Sequence, residues 1–349
     1  MTTTIENYRL TTVHIPLETP FVTALRRVDA AVAVRLELFD EGGLCGVGEA
    51  PPTVAITGES LEDIRSALQK VLLPELLHKL LTMEEAQRLL HGACSGHTSA
   101  KACLEIALHN LFAQKTGIPL WRYLGAGKLS DVVTAVTVSL GTPDTMAKQA
   151  RNFWRRGLDI LKVKVGGGDG EDLRRILAVR EAVPDAKILV DANQAWNEEG
   201  ALRIIDAIAP LGIELVEQPL RADDLSGMRR LTARSPVPIL ADESAFTLEQ
   251  VKEVIETEAA RMVNVKLMKC GGIAKAKEIL VWCDENGVTC MMGSMLETPA
   301  SIEAAMQLVM AYPQTIRYAD LDSPLLYREL PKDCSIAASG NRLYLEEQR

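Results

Sequence analysis

The chain has 349 residues, of which 47% are hydrophobic, and a formal net charge of -9. This length suits one large domain or two moderate ones, and the acidic balance argues against a nucleic acid or an anionic membrane surface as partner. No apolar run has the length of a membrane span, and the N-terminus lacks a signal-peptide pattern, so we expect a cytoplasmic protein. The seven cysteines include no C-x-x-C pair, which favours reduced, buried thiols.

The first third of the chain changes pattern once. Residues 8–49 alternate apolar and polar side chains around a Gly-Gly turn, which predicts an antiparallel β-meander. Over residues 61–115 the apolar spacing becomes that of amphipathic helices. Gly117 follows the last of them, as expected where a helix ends. Residues 1–127 are therefore predicted to form an α+β unit.

After residue 127, short β-branched segments alternate with helical ones. This alternation indicates βαβ units and a parallel sheet, and roughly eight such units close into a barrel. The predicted strands cover residues 132–140, 159–165, 186–192, 213–218, 238–244, 262–267, 288–293 and 315–320.

Five charged residues recur at nearly constant intervals, each at the C-terminal end of a predicted strand. Lys164 lies 27 residues before Asp191, and the next intervals, to Glu217, Asp242 and Lys266, are 26, 25 and 24 residues. In a closed parallel barrel all these strand ends lie on one face, which is where such barrels build active sites. We therefore expect the acids to cluster there, with lysines on opposite sides of them.

The three acids of this series point to a metal. Carboxylates that converge on one point cannot all ionise without a compensating cation. A hard divalent ion such as Mg²⁺ takes oxygen ligands and leaves positions for water or substrate, and Mn²⁺ takes the same ligands. Any one of these acids could be a surface or N-cap residue, but three on successive βα units favour a metal site.

The lysines point to proton transfer. Lys162 and Lys164 alternate along a predicted strand, so both side chains face the inside of the barrel. An inward lysine is costly unless it has a partner or a task. A nearby metal and a second ammonium would each lower its pKa towards the range of a general base. Two such lysines on opposite faces of one carbon could remove a proton on one side and return it on the other.

The strings KVKVGGG, DANQAW, VEQPL, ADES, NVKLMKCGG and GSMLET resemble the enolase superfamily, and within it the muconate-lactonising subgroup. Enzymes of this superfamily use lysine or histidine bases together with Mg²⁺. The resemblance covers nearly the whole chain and implies an α/β fold, a (β/α)7β TIM-like barrel over residues 128–320 with an α+β capping domain over residues 1–127. The C-terminal tail, residues 321–349, is expected to pack back on the capping domain.

The resemblance also implies roles for individual residues. Lys164 and Lys266 would be the acid/base pair, and Lys162 would support Lys164 and the substrate carboxylate. Asn193 would lie behind the metal ligands. The Mg²⁺ ligands that it implies are Asp191, Glu217 and Asp242.

The choice of reaction rests on one absence and one pair of acids. None of the five histidines lies in the predicted barrel, whereas members that resemble mandelate racemase use a barrel histidine as a base. This leaves the two-lysine members. Asp320 and Asp322 match dipeptide epimerases, where two acids would bind the substrate ammonium, although Asp is also common at loop starts. We therefore expect a Mg²⁺-dependent dipeptide epimerase that inverts the C-terminal residue of an L,L-dipeptide through a metal-stabilised enediolate.

Two further positions concern the substrate. Arg26, in the string FVTALRRV, matches the arginine that meets the glutamate side chain in alanyl-glutamate epimerases. Arginine suits a carboxylate because its donors bind it bidentately. Arg27 stands beside it, so either could face the substrate. Thr137 on the first barrel strand is another candidate substrate contact.

Several alternatives stay open at this point. Other two-lysine enzymes, namely N-acyl amino acid racemases, o-succinylbenzoate synthases and cycloisomerases, would not need Asp320 and Asp322. A Schiff-base aldolase with Lys164 as nucleophile leaves the aligned acids unexplained, and a non-catalytic binding barrel gives no reason for both lysines. The expected partner is a small-molecule dipeptide, without nucleic acid or membrane, and the resemblance implies a homo-oligomer.

Overall fold

The computed structural model describes residues 1–332 and 334–346 of the chain. The N-terminal part is a layer of antiparallel strands and helices. A π-helical turn (Leu68–Leu72) and a 3-10 turn (Leu73–Glu75) follow its first helix. In chain order, its other elements are β1 (Thr2–Val22), β2 (Arg27–Asp40), β3 (Cys45–Ala50), α1 (Leu61–Ala67), β4 (Leu80–Thr82), α2 (Met83–Gly92), α3 (Thr98–Thr116) and α4 (Leu120–Tyr123).

The predicted meander is confirmed, with the strand order β3-β2-β1-β4 and antiparallel pairing throughout. β1 begins earlier than the alternation suggests, because its first residues pair with β4. Gly117 ends α3 in the left-handed region, with φ +72°, where glycine carries no steric penalty.

The larger part of the chain is a parallel barrel of eight strands, β6 to β13, each paired with the next. The N–H of Ala135 donates to the carbonyl of Ala319 at 2.9 Å, which links the first strand to the last. The predicted (β/α)7β fold is confirmed. Its strands are β5 (Val132–Val133, outside the barrel), β6 (Val136–Val138), β7 (Ile160–Lys164), β8 (Lys187–Asp191), β9 (Ile213–Glu217), β10 (Ile239–Ala241), β11 (Met262–Val265), β12 (Thr289–Gly293) and β13 (Ile316–Asp320). Its helices are α5 (Pro143–Arg155), α6 (Asp172–Ala182), α7 (Glu198–Ile208), α8 (Leu225–Arg234), α9 (Leu248–Glu256), α10 (Leu267–Cys270), α11 (Ile273–Glu285) and α12 (Pro299–Ala311), with a 3-10 turn at Ala209–Leu211.

Segment 132–140 is not the single strand that its pattern predicts. Its first two residues pair with β15 (Arg342–Leu345), which forms a hairpin with β14 (Ile336–Ser339). The strand is interrupted at Thr134, because the N–H of Thr134 donates to the carbonyl of Asn341 while its hydroxyl accepts from the N–H of Leu321. The backbone after this break enters the barrel as β6.

The chain after the barrel contacts both parts of the molecule. A short helix, α13 (Ser323–Leu326), precedes a bridge between Tyr327 and Leu17 of β1. The N–H of Arg328 also donates to the carbonyl of Pro16 at 2.9 Å. Residue 333 and residues 347–349 of the predicted tail lie outside the described residues. We propose the predicted domain division on this basis.

Helix α3 lies between the N-terminal sheet and the barrel. From Ser99 to Ala113 every residue except Asn110 is buried. The carboxylate of Glu105 accepts from the N–H of Ala274 at 3.2 Å, at the start of α11, which fixes α3 to the barrel. Within the described part of the chain, no helix combines the length and the apolar character needed to cross a membrane.

Candidate active site

The C-terminal ends of the barrel strands bring the predicted charged residues together. Lys164, Asp191 and Glu217 are the last residues of β7, β8 and β9, and they are register partners across these strands. Asp242 and Lys266 each follow their strands, β10 and β11, by one residue. The regular intervals in sequence therefore become one layer of side chains at the mouth of the barrel.

Lys162 and Lys164 both point into the barrel and both contact Asp191. The Nζ atom of Lys164 lies 2.5 Å from Oδ2 of Asp191, and that of Lys162 lies 3.1 Å from the same oxygen. Lys164 also donates to Oδ1 of Asn193 at 3.3 Å. Burial raises the pKa of Asp191, but the two ammonium groups outweigh this effect and lower it to about 2.

Lys162 is wholly buried beneath the cavity wall. Its Nζ lies 2.7 Å from Oε2 of Glu217 and 2.6 Å from Oδ2 of Asp320, in addition to its contact with Asp191. Burial lowers the pKa of Lys162, yet the carboxylates, Asp320 foremost, raise it well above its ordinary value. The ammonium group of Lys162 therefore forms ion pairs both with the predicted metal ligands Asp191 and Glu217 and with Asp320.

On the other side of the layer, Lys266 and Lys269 share Asp242. The Nζ of Lys266 lies 2.6 Å from Oδ2 of Asp242, and the Nζ of Lys269 lies 2.6 Å from Oδ1. Burial lowers the pKa of Lys266, but the surrounding carboxylates, Asp242 foremost, together outweigh burial and the net shift is upward. Lys269 was not predicted from the sequence, although it lies three residues after Lys266 in a helical turn, where side chains share a face.

Glu217 lies on β9, between the strands that carry Asp191 and Asp242. Burial, and then the charges of Asp191 and Asp242, raise its pKa to about 7. Its Oε1 accepts from Nδ2 of Asn264 at 2.9 Å. Its Oε2 lies 2.7 Å from Nζ of Lys162, but the angles are wrong for a hydrogen bond. Asn264 was not predicted from the sequence. It lies two residues before Lys266, and alternate residues along a strand face the same side, so both side chains point inward.

The donor set fits a divalent cation in its chemistry. Three buried carboxylates lie on adjacent strands, and burial together with the charges of Asp191 and Asp242 raises the pKa of Glu217. Within residues 1–332 and 334–346, no three acidic, histidine or cysteine side chains stand close enough to hold one ion as they are. The lysine ammonium groups bond these carboxylates instead, so metal binding would require the carboxylates to exchange partners.

Asp320, Asp322 and Thr137 form one end of the cavity. Oδ2 of Asp322 accepts from the N–H of Thr137 at 2.7 Å, while Oδ1 of Asp320 is buried without a hydrogen-bond partner in the described chain. Burial, followed by the charge of Asp320, raises the pKa of Asp322 to about 6. Two adjacent carboxylates with one unsatisfied oxygen form an environment that favours a cation.

The N-terminal layer supplies another part of the cavity wall. Arg26 lines the cavity, whereas the side chain of Arg27 is 63% exposed and lies 3.4 Å from Asp29. Arg26 is therefore the inward-facing arginine of the pair. Its Nη1 donates to the carbonyl of Pro52 at 3.3 Å, and burial lowers its pKa. No carboxylate of the described residues pairs with it, so its remaining donors are available to a ligand.

The cavity has a volume of about 590 Å³, including the space at its open mouth. Lys164, Lys266 and Asp242 reach its wall, while Asp191 and Glu217 lie beneath it. Its apolar wall residues are Phe21, Leu25, Ala55, Ile56, Met295 and Leu296.

Two other residues that the sequence analysis did not single out shape this layer. The side-chain amide of Gln218 accepts from the N–H groups of Asp242 and Ser244 and donates to the carbonyl of Leu220 and the hydroxyl of Ser244. The backbone of Gln218 has a positive φ of +35°. A β-carbon on Gly293 would lie 2.4 Å from Oδ1 of Asn264 and 2.9 Å from Cε of Lys266. A larger residue at the end of β12 would therefore displace the side chains of Asn264 and Lys266, which pass directly over Gly293.

Family comparison agrees with this architecture. Residues 5–125 match the mandelate racemase / muconate lactonizing enzyme N-terminal domain, and residues 145–341 match the enolase C-terminal domain-like family. The chain belongs to the mandelate racemase / muconate lactonizing enzyme family of the enolase superfamily. The resemblance drawn from the sequence strings is confirmed.

Members of this family with known activities are similar along almost the whole chain. The L-amino acid-D/L-Glu epimerase of Sulfurimonas denitrificans is 43% identical over 326 residues, which cover 93% of this chain and 95% of that protein. The substrate-liganded L-Ala-D/L-Glu epimerase of Bacillus subtilis superimposes with a TM-score of 0.94 at 39% identity, covering 98% and 96% of the two chains. The dipeptide epimerase of Enterococcus faecalis, complexed with Mg and L-Leu-L-Tyr, gives 0.91 at 34% identity, covering 98% and 97%. The prediction of an isomerase is confirmed.

Proposed function

We propose that this protein is a Mg²⁺-dependent dipeptide epimerase that inverts the α-carbon of the C-terminal residue of an L,L-dipeptide. The observation that carries the proposal is the placement of Lys164 and Lys266 in one cavity. Three strands separate β7 from β11 in the sheet, so the two lysines approach the cavity from different sides. Lys164 is bonded to Asp191 and Lys266 to Asp242, so each lysine is held by a different carboxylate.

The reaction then needs one lysine as an amine and the other as an ammonium. The amine takes the α-proton from one face of the substrate, and the C–H electron pair passes into the adjacent carboxylate. The ammonium gives its proton to the opposite face, where the electron pair forms the new C–H bond. One lysine gains a proton and the other loses one. After the inverted product is released, the protonation states of the two lysines therefore suit the reverse reaction. Exchange with water resets the pair for another forward turnover.

Asp191, Glu217 and Asp242 would hold the metal, because their carboxylates supply the oxygen ligands that Mg²⁺ prefers. When bound, the ion supplies positive charge that stabilises the negative charge developing on the substrate carboxylate. The chain itself keeps Lys162 buried beneath this point, where its ammonium balances the same carboxylates.

Polar residues of the cavity wall would contact the substrate. We assign the ammonium of the N-terminal residue to Asp320 and Asp322, and the side chain of the C-terminal residue to Arg26. An acidic side chain, as in Ala-Glu, would pair with the guanidinium bidentately. Thr137 lines the same end as the two aspartates. The similar proteins of Sulfurimonas denitrificans and Bacillus subtilis are an L-amino acid-D/L-Glu epimerase and an L-Ala-D/L-Glu epimerase, which supports this class of substrate.

Deuterium exchange tests the proposal. The chain is incubated with Mg²⁺ and L,L-dipeptides in D₂O, and mass gain and epimer formation are followed. We expect deuterium at the second α-carbon of L-Ala-L-Glu, with loss of exchange on adding EDTA. The matched control is N-acetyl-L-Ala-L-Glu, which lacks the ammonium and should react slowly. Exchange of N-acyl amino acids alone would contradict the assignment of Asp320 and Asp322 and favour an N-acyl amino acid racemase.

A homo-oligomeric state and a cytoplasmic location stay predictions. Size-exclusion chromatography with light scattering would determine the first, and cell fractionation would determine the second.

A further inference from the structure

Each candidate base has a second lysine beside it that shares its carboxylate. On one side Lys164 and Lys162 both contact Oδ2 of Asp191. On the other side Lys266 and Lys269 bond the two different oxygens of one carboxylate, Oδ2 and Oδ1. The proposed chemistry uses the lysine at the cavity wall in each pair and leaves Lys269 without a role.

Lys269 is 1% exposed and lies beneath the cavity wall. Its Nζ lies 2.6 Å from both Oδ1 and the main-chain carbonyl of Asp242. The carbonyls of Asn264 and Ala245 lie at 2.8 Å and 3.1 Å, and the ring of Phe246 is 5.3 Å away. All the donors of this ammonium are therefore used inside the protein.

These contacts restrict Asp242 in a specific way. One ammonium holds both the main-chain carbonyl and the side-chain Oδ1 of the same residue, which fixes the rotation of its carboxylate. The other oxygen, Oδ2, is left directed at Lys266 at 2.6 Å. If Lys269 were removed, this carboxylate would be free to rotate, and either oxygen could approach Lys266.

We propose that Lys269 is a positioning residue for the half of the reaction that uses Lys266. The inference rests on the proposed function and deepens it. Lys269 contacts neither Lys164 nor Asp191 in the described chain, so its direct effect falls on the side of Lys266. A loss of metal affinity through Asp242 would slow exchange at both faces, so the rates are compared at saturating Mg²⁺. A residue that merely stabilised the fold would affect both faces equally.

The experiment measures exchange at each face separately. The α-proton of L-Ala-L-Glu and that of L-Ala-D-Glu are exchanged in D₂O at short times, before epimers accumulate. Lys266→Ala and Lys164→Ala identify which epimer reports which lysine. The test variant is Lys269→Met, which keeps the length of the side chain and removes its charge. The matched control is Lys101→Met, because Lys101 is also buried and its ammonium bonds the carbonyl of Cys94.

We expect Lys269→Met to slow the exchange of the epimer that faces Lys266 by roughly 10-fold to 100-fold. The other epimer should exchange within about twofold of the wild-type rate, and Lys101→Met should leave the ratio of the two rates unchanged. An equal loss at both faces, or no change at either, would overturn the proposal. If Lys269→Met does not fold, Lys269→Arg serves in its place, because the bulkier cation cannot reproduce all four contacts and should give the same one-sided loss.

A second measurement does not depend on turnover. The side chains of Lys164 and Lys266 are equally exposed, at 8% each, so their acetylation by acetic anhydride can be compared by mass spectrometry in the metal-free full chain. Without Lys269, the Asp242 carboxylate is free to rotate and to bond Nζ of Lys266 with both oxygens, which would shield that nitrogen from the reagent, so we expect Lys266 to be labelled about threefold more slowly. Labelling of Lys164 should not change, and equal slowing of both lysines would overturn the proposal. Absence of wild-type exchange would contradict the proposed function, while this labelling would still decide the role of Lys269.

Discussion

The backbone N–H of Thr137 donates a 2.7 Å hydrogen bond to Oδ2 of Asp322. Thr137 lies on the first strand of the barrel and Asp322 follows the last, so this bond joins the two edges at the active-site end. It also immobilises a carboxylate whose charge is disfavoured by burial. Asp322 therefore gives a test that separates stability from activity.

Asp322→Asn should stabilise the fold at high pH and weaken substrate binding. The pKa of Asp322 is raised from its ordinary value of 3.8 to about 6 in the folded chain. The cost of its charge is therefore absent below pH 4, grows between pH 4 and 6, and is complete above pH 6. We expect a higher Tm than wild type at pH 8 and a smaller difference at pH 5, measured by circular dichroism. An equal shift at both pH values would contradict this explanation.

Lys164→Ala and Lys266→Ala should each reduce epimerisation by about 100-fold to 10,000-fold, because each removes one of the two proton-transfer groups. Circular dichroism should show an intact fold in both variants. Lys187→Ala is the matched control, since Lys187 is exposed at the opposite end of β8 from the active site. Turnover at the wild-type rate after either active-site change would exclude the two-base reaction.

Asp242→Asn should weaken Mg²⁺ binding by at least about 10-fold, because it removes one anionic ligand and leaves two lysines without their carboxylate partner. Titration of activity with Mg²⁺, and of Mn²⁺ by electron paramagnetic resonance, would measure the change. Asp223→Asn serves as control, because Asp223 pairs with Arg221 on the surface. A metal affinity equal to that of wild type would exclude Asp242 as a ligand.

Arg26→Gln should lower kcat/KM for L-Ala-L-Glu by about 10-fold to 1,000-fold, because the acidic side chain loses its charged partner. The loss should be small for L-Ala-L-Leu. The neighbouring change Arg27→Gln should leave both substrates unaffected, since Arg27 faces solvent. Equal losses on both substrates would mean that Arg26 acts on the loop and does not recognise the side chain.

Gly293→Ala should lower kcat by about 100-fold, because its methyl group would displace Asn264 and Lys266 by more than the reaction tolerates. Gly92→Ala is the control, since a β-carbon there meets no atom within 4 Å. Steady-state kinetics with a Tm measurement would separate displacement from unfolding. Unchanged kcat in a folded Gly293→Ala variant would show that the layer can shift without loss.

The sequence predicted the parts of the site that repeat. Lys164, Asp191 and Glu217 occupy the same position in successive βα units, so a constant interval and the rule for strand ends placed them correctly. Lys269 lies outside this series, in a turn after the strand, and its contact with Asp242 depends on how that turn folds. The ion pair of Lys162 with Asp320 likewise depends on closure of the barrel.

Other features could not be read from the sequence, because local pattern does not determine them. Arg26 ends a loop and Arg27 begins β2, where no periodicity yet distinguishes them, and only the packing of this segment on the barrel shows which one faces inward. Segment 132–140 has the apolar pattern of one strand, but its first residues pair with a hairpin some 200 residues later. Pairing with distant segments overrides local propensity in such cases.

The cavity is built from two sources that are separate in the chain. Phe21 comes from the end of β1, and Leu25, Arg26 and Ile56 come from loops of the N-terminal layer, whereas the lysines and carboxylates come from strand ends of the barrel. Loops tolerate replacement far better than a close-packed barrel interior. Mutation can therefore explore new side-chain preferences in the loops while the lysines and carboxylates of the strand ends stay unchanged, so this architecture favours divergence in selectivity over divergence in reaction type.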